Sequence, residues 1–127
     1  MIGGKVLDAS YLAALVRGRP AAWAWLDTAR AVGIVLALPS LALTEVRAVR
    51  PDGGPVLAEL LGHPAVLLTD LDAAVAADVD DQLTHAAMFD ALAGHVVHLV
   101  RHRGWPALTD DPGRLHRLDP DLEVDRL

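Results

Sequence analysis

Gly33-Ile34-Val35-Leu36-Ala37-Leu38 is an uninterrupted apolar run of strand length, with no alternation of polar and apolar residues. A strand with one wet face alternates, whereas a strand of a parallel sheet is covered on both faces and stays apolar throughout. This run therefore predicts a parallel sheet between two helix layers, and the segments around it have to supply the other strands and the crossovers.

They do so in order. Lys5-Val6-Leu7 reads as a first strand running into Asp8, and Ala9 to Arg17 as a helix with Leu12, Leu15 and Val16 on one stripe and Gly18 as its stop. A second helix begins near Pro20, with the stripe Trp23, Leu26, Ala29 and Val32 facing inward, Asp27 and Arg30 on the polar side, and Gly33 closing it. After the second strand, Ser40 is expected to cap a helix over Leu41 to Arg50, ended by Pro51-Asp52-Gly53-Gly54. Pro55 to Leu61 reads as a short helix and Ala65 to Leu68 as a third strand. The region 72–103 is too long for one ordinary helix; Asp78, Asp80 and Asp81 suggest a break, giving helices near 72–84 and 87–103. Trp105 to Thr109 is a fourth strand, in which Pro106 is tolerable only near the start or at an edge. A helical turn from Asp110 to Leu118 follows, and Leu122 to Val124 is expected as an edge strand. The prediction is a single α/β domain over 1–127, with a parallel sheet of four to five strands and right-handed crossovers.

At 127 residues and 53% apolar content the chain can bury one core. With no cysteine it can form neither disulfides nor a thiolate metal site. The longest apolar stretch, Val32 to Leu43, is interrupted by Pro39 and Ser40 and is too short to span a bilayer. No signal-peptide pattern follows Lys5, so a cytoplasmic location is the expectation. The net charge of −6 argues against nucleic-acid binding by bulk positive potential. Ten of the eleven basic residues are arginines, suited to bidentate contacts with phosphate or carboxylate, so a local anion-binding patch stays open.

The acids carry the chemistry. In an open α/β sheet ligands gather outside the carboxyl ends of the strands, which is where Asp8 would stand; as a bare N-cap it would serve only the following helix. Glu45 in the third helix, Asp90 early in the sixth and Asp111 after the fourth strand could join it. Carboxylates so grouped suit Mg²⁺ or Mn²⁺ and, through it, phosphodiester chemistry.

Four segments extend this reading: Val6-Leu7-Asp8-Ala9-Ser10, Leu43-Thr44-Glu45-Val46, Asp90-Ala91-Leu92-Ala93 and Ala107-Leu108-Thr109-Asp110-Asp111-Pro112. In these, and across its whole length, the chain resembles the PIN-domain proteins, specifically the VapC-type toxin ribonucleases. The resemblance implies metal-dependent cleavage of RNA, with Asp8, Glu45, Asp90 and Asp111 holding Mg²⁺ or Mn²⁺ and an attacking water, and Thr109 supporting them. It also implies a homodimer and a cognate antitoxin that packs on apolar helices, with Leu57, Leu60 and Leu61 as candidate contacts. The chain departs from the pattern at the third acid, which in the family stands about one helical turn nearer the Thr-x-Asp element, at Ala93 here; an extended sixth helix would restore Asp90 to that place. Asp110 is the alternative to Asp111. Two other functions stay open: a catalytically weakened PIN-like binding protein, and a structural domain whose acids only cap helices.

Other signals are expected to be structural. His95, His98 and His102 share a helix face but spread over two turns, too far for one zinc ion. Asp78, Asp80 and Asp81 lack the glycine and glutamate of a calcium loop and read as a solvated turn. Trp23 and Trp25 lie about 200° apart on a helix, so one is expected in the core. Arg47 and Arg50 follow Glu45 and could guide phosphates, although arginines at a helix end also compensate its dipole.

Overall fold

The computed structural model describes residues 3–127. Five strands form one parallel sheet: β1 (Gly4–Leu7), β2 (Val35–Pro39), β3 (Val66–Thr69), β4 (Ala107–Thr109) and β5 (Val124–Arg126), in the order β3-β2-β1-β4-β5. Seven α-helices are described around it: α1 (Ala9–Val16), α2 (Pro20–Val32), α3 (Ser40–Val49), α4 (Gly54–Leu61), α5 (Ala73–Ala86), α6 (Ala91–Arg103) and α7 (Pro112–His116). From β1 the chain winds outward to β2 and β3, then crosses back to place β4 on the other side of β1. The crevice beyond the carboxyl ends of β1 and β4 is therefore the switch point of the sheet, where ligands of open α/β folds bind.

The apolar run became the inner strand β2, with Leu36, Ala37 and Leu38 wholly buried between helix layers, as are Val6 and Leu7 of β1 and Ala107 and Leu108 of β4. β3 and β5 are the edges. Leu67 and Leu68 of β3 stay exposed, because an edge strand is only partly covered. Among the described residues no single helix is long and apolar enough to cross a membrane.

Several local expectations change. Ser40 is the first helical residue of α3; Pro39 takes the cap position and offers no side-chain bond, since β2 runs directly into the helix. Asp78, Asp80 and Asp81 form no turn but lie inside α5. The break falls later, at Ala87, whose left-handed φ of 53° ends the helix before Asp90 caps α6. The packing of α5 on α6 explains why α5 continues: a Cβ on Gly94 would lie 2.6 Å from Val79 Cγ1, so only glycine lets the two helices approach so closely. In α2 the core face is Ala22, Leu26 and Ala29, while Val32 is exposed. Trp23 and Trp25 both end half-buried against the core; Trp23 Nε1 donates to the Leu15 carbonyl, and the Lys5 ammonium lies over the Trp25 ring. Leu57 and Leu60 are buried in the core, which leaves only Leu61 of that trio exposed and removes the other two as partner contacts. β4 begins after Pro106, whose carbonyl accepts from Val6 N–H, and β5 begins after Leu122, which is itself in the core.

The histidines separate. His98 pairs with Asp78 and stacks on His102, while His95 is 0% exposed with neither ring nitrogen hydrogen-bonded. Burial, aided by His98, pushes the His95 pKa below 6.5, against the opposing charges of Asp72 and Asp70. The unfolded chain then takes up a proton that the folded chain refuses, so stability falls as the pH drops below about 6.5. Orphaned buried polar groups cost about 1–3 kcal/mol, so His95→Leu is predicted to raise the melting temperature at pH 7.5 and to lessen the loss between pH 7.5 and 5.5. An identical loss in both proteins would remove His95 as its source.

Candidate active site

Asp8 leaves β1 in extended conformation and caps α1, its Oδ1 accepting from Tyr11 N–H at 3.0 Å and from Ser10 Oγ at 2.6 Å. The β1–β4 register runs Val6 to Ala107 and Leu7 to Leu108, so one step further sets Asp8 beside Thr109. Thr109 is wholly buried, and its hydroxyl donates to Asp8 Oδ2 at 2.5 Å while accepting from Asp111 N–H at 2.9 Å. Ser10 Oγ also accepts from Asp110 N–H at 2.8 Å, which joins the first turn of α1 to the end of β4. Asp8 is only 4% exposed, and burial raises its pKa against the hydrogen bonds of Ser10, Thr109 and Tyr11 and the charge of Arg114.

Glu45 and Asp90 meet on a third side chain, Arg114. Its Nη1 and Nη2 donate to Glu45 Oε2 and Oε1, each at 2.7 Å, and its Nε and Nη2 donate to Asp90 Oδ2 and Oδ1, each at 2.8 Å. Asp90 also caps α6, its Oδ1 accepting from Ala93 N–H at 3.1 Å. Burial acts to raise the Asp90 pKa, but the Arg114 bonds, the Ala93 N–H and the charges of Arg114 and Arg117 bring it below the usual carboxylate value. The hydrogen bonds to Asp90 and Glu45 in turn raise the Arg114 pKa, so the guanidinium stays charged. An open cleft of about 520 Å³ runs past Leu41, Thr44, Glu45, Phe89, Asp90 and Arg114.

The acids thus form no single shell: Glu45 and Asp90 share one partner, while Asp8 is held by a separate set of bonds. Asp111 is exposed and caps α7 through Arg114 N–H at 3.3 Å, and Asp110 pairs with Arg19 at 2.7 Å. Among the described residues no three His, Asp or Glu side chains stand close enough to hold one metal ion. Ala93 is wholly buried, and the acid at the start of α6 is Asp90. Arg50 is engaged by Asp52 and Arg47 is exposed.

No family model matches the sequence, and no curated protein matches it. Solved structures do. The DNA-bound VapBC from Salmonella typhimurium contains a chain that superposes with a TM-score of 0.71 at 14% identity, covering 99% of this chain and 98% of that one. VapBC2 from Rickettsia felis, bound to a DNA fragment from their promoter, gives 0.67 at 13% identity over 97% and 98% of the two chains. FitAcB from Neisseria gonorrhoeae gives 0.51 at 21% identity over 100% and 96%. The chain has a PIN-like fold. At these identities the likeness is one of fold.

Within this PIN-like fold, sequence reading left two residues without a role. Ser10 was visible in the first motif, but its place between Asp8 and Asp110 depends on β4 lying beside β1. Arg114 gave one signal, a basic residue three positions after Asp111, which reads equally as a helix-end charge. The geometry also bears on a divalent cation. Mg²⁺ is usually held by one or two carboxylates with waters and substrate oxygens, and Glu45 and Asp90 already chelate a single positive charge. Their donor chemistry fits such an ion, with the Arg114 guanidinium as the stand-in.

Proposed function

We propose that this chain is the toxin of a toxin–antitoxin pair and hydrolyses RNA phosphodiesters, with a divalent cation, Mg²⁺ or Mn²⁺, as cofactor. The carrying observation is that Glu45 and Asp90 converge on one cationic group while Asp8 stands in a hydrogen-bonded cradle at the switch point of the sheet. Glu45 and Asp90 are the residues that would hold the cation, which would neutralise charge developing on the phosphate. Asp8 takes the proton of the attacking water: burial raises its affinity for a proton, and Oδ2 accepts only the Thr109 bond and keeps a lone pair free. Thr109 and Ser10 fix the orientation of that carboxylate, and Asp111 orders the start of α7 and with it Arg114. The solved complexes of like fold support an antitoxin as the protein partner, and a second copy of the chain is proposed beside it.

One observation favours a second reading. Asp8, Asp90 and Asp111 all cap helices, and Arg114 neutralises part of the charge on Glu45 and Asp90. A PIN-like protein that binds RNA without turning it over would carry the same features. Incubating a mixed RNA pool with the protein, with Mg²⁺, with Mn²⁺ and with a chelator, separates the two. Fragments formed only with metal are expected; RNA retained on the protein but uncut in every condition would establish the second reading and end the first.

A further inference from the structure

Four hydrogen bonds of 2.7–2.8 Å from one guanidinium to two carboxylates make the Arg114 contact a chelate rather than a surface ion pair. Arg114 and Asp90 are both largely shielded, with about a fifth of each side chain exposed, so that arm of the contact is less screened than an open one, whereas Glu45 is 38% exposed and its arm is the more screened. The planar fork suits this geometry, and an ammonium at the same place could not span both carboxylates in the same way. Two acids against one arginine leave a net charge of −1, and the Arg114 charge also acts on Asp8.

We infer that Arg114 is a built-in competitor for the cation site, and that a divalent ion is held by Glu45 and Asp90 only after the guanidinium has been displaced from them. This rests on the reading of Glu45 and Asp90 as cation-holding residues. The displacement needs no backbone movement, because Arg114 lies beside an open cleft of about 520 Å³ and its side chain turns about several single bonds. Metal affinity of the chain is therefore set by how firmly Arg114 holds the acids, and a partner offering Arg114 another anion would raise it.

Manganese binding tests this without any RNA. Mn²⁺ is titrated into wild-type protein, Arg114→Gln and Arg114→Lys, and the free ion is followed by electron paramagnetic resonance. The Gln variant is expected to bind Mn²⁺ at least tenfold more tightly than wild type, with the Lys variant between them. Adding Asp90→Asn to Arg114→Gln should abolish the gain, and millimolar guanidinium chloride should weaken Mn²⁺ binding to Arg114→Gln more than an equal concentration of sodium chloride does. If Arg114→Gln fails to fold, the Lys variant alone decides by the direction of its shift. Equal Mn²⁺ affinity in wild type and variants would overturn the competitor role while leaving the cation site standing. No Mn²⁺ binding by any folded variant would overturn both.

Discussion

Asp8→Asn should reduce RNA cleavage by at least about 100-fold, the lower end of what a positioned general base contributes, while leaving the protein as stable as wild type or more so. The two halves of this expectation have one cause. Burial raises the Asp8 pKa above its ordinary 3.8, so the folded state binds a proton more tightly than the unfolded chain does. The stabilising contribution of that proton is fully present below pH 3.8 and is lost as the pH rises through the folded value. At neutral pH the ionised carboxylate is thus a burden on the fold. Asparagine removes the charge, keeps an oxygen for the Tyr11 N–H, and can donate to Thr109 Oγ1, which is able to accept. Full activity in Asp8→Asn would remove it from the chemistry, and a large loss of melting temperature would show that the ionised form stabilises the fold.

Thr109→Val should have the largest effect on stability. Valine matches threonine in shape, so the packing is retained, but Asp8 Oδ2 loses its hydroxyl donor and Asp111 N–H loses its acceptor. Leaving a buried polar group unpaired costs about 1–3 kcal/mol, more for a charged one, and the part-buried Asp111 N–H adds less than a fully buried one, so the total should be about 2–4 kcal/mol. In a domain of this size that is a fall in melting temperature on the order of 10 °C. Thr109→Ser, which keeps the hydroxyl, should lose far less. The penalty should also shrink in an Asp8→Asn background, since the charge that Thr109 serves is gone, and a double-mutant cycle measures that difference directly. Independent, additive effects of the two substitutions would mean that the Asp8–Thr109 contact contributes nothing.

What the sequence by itself determined was local or periodic. The unbroken run before Pro39 specified a doubly covered parallel strand, and the alternation of such runs with helical stripes specified the layers. Asp8 was legible at the start of a helix because a cap acts on an N–H only three residues away, whereas Asp90, expected within the first turn of a helix over 87–103, is the cap of one that starts at Ala91. Even there, local signals misplaced the boundary between α5 and α6: acids on an exposed helix face resemble a turn until Val79 is seen against Gly94. What only the tertiary structure decided is which distant residues meet. Asp8 reaches Thr109 because β4 crosses back to lie beside β1, and strand order is not written in any one strand's periodicity. Leu57 and Leu60 are core while Leu67 and Leu68 are exposed, because layer and edge are properties of the assembled sheet. Arg114 chelates Glu45 from 69 residues away and Asp90 from 24 residues away. A long side chain on a short helix can point many ways, and only the packed neighbourhood of two carboxylates selects the one it takes.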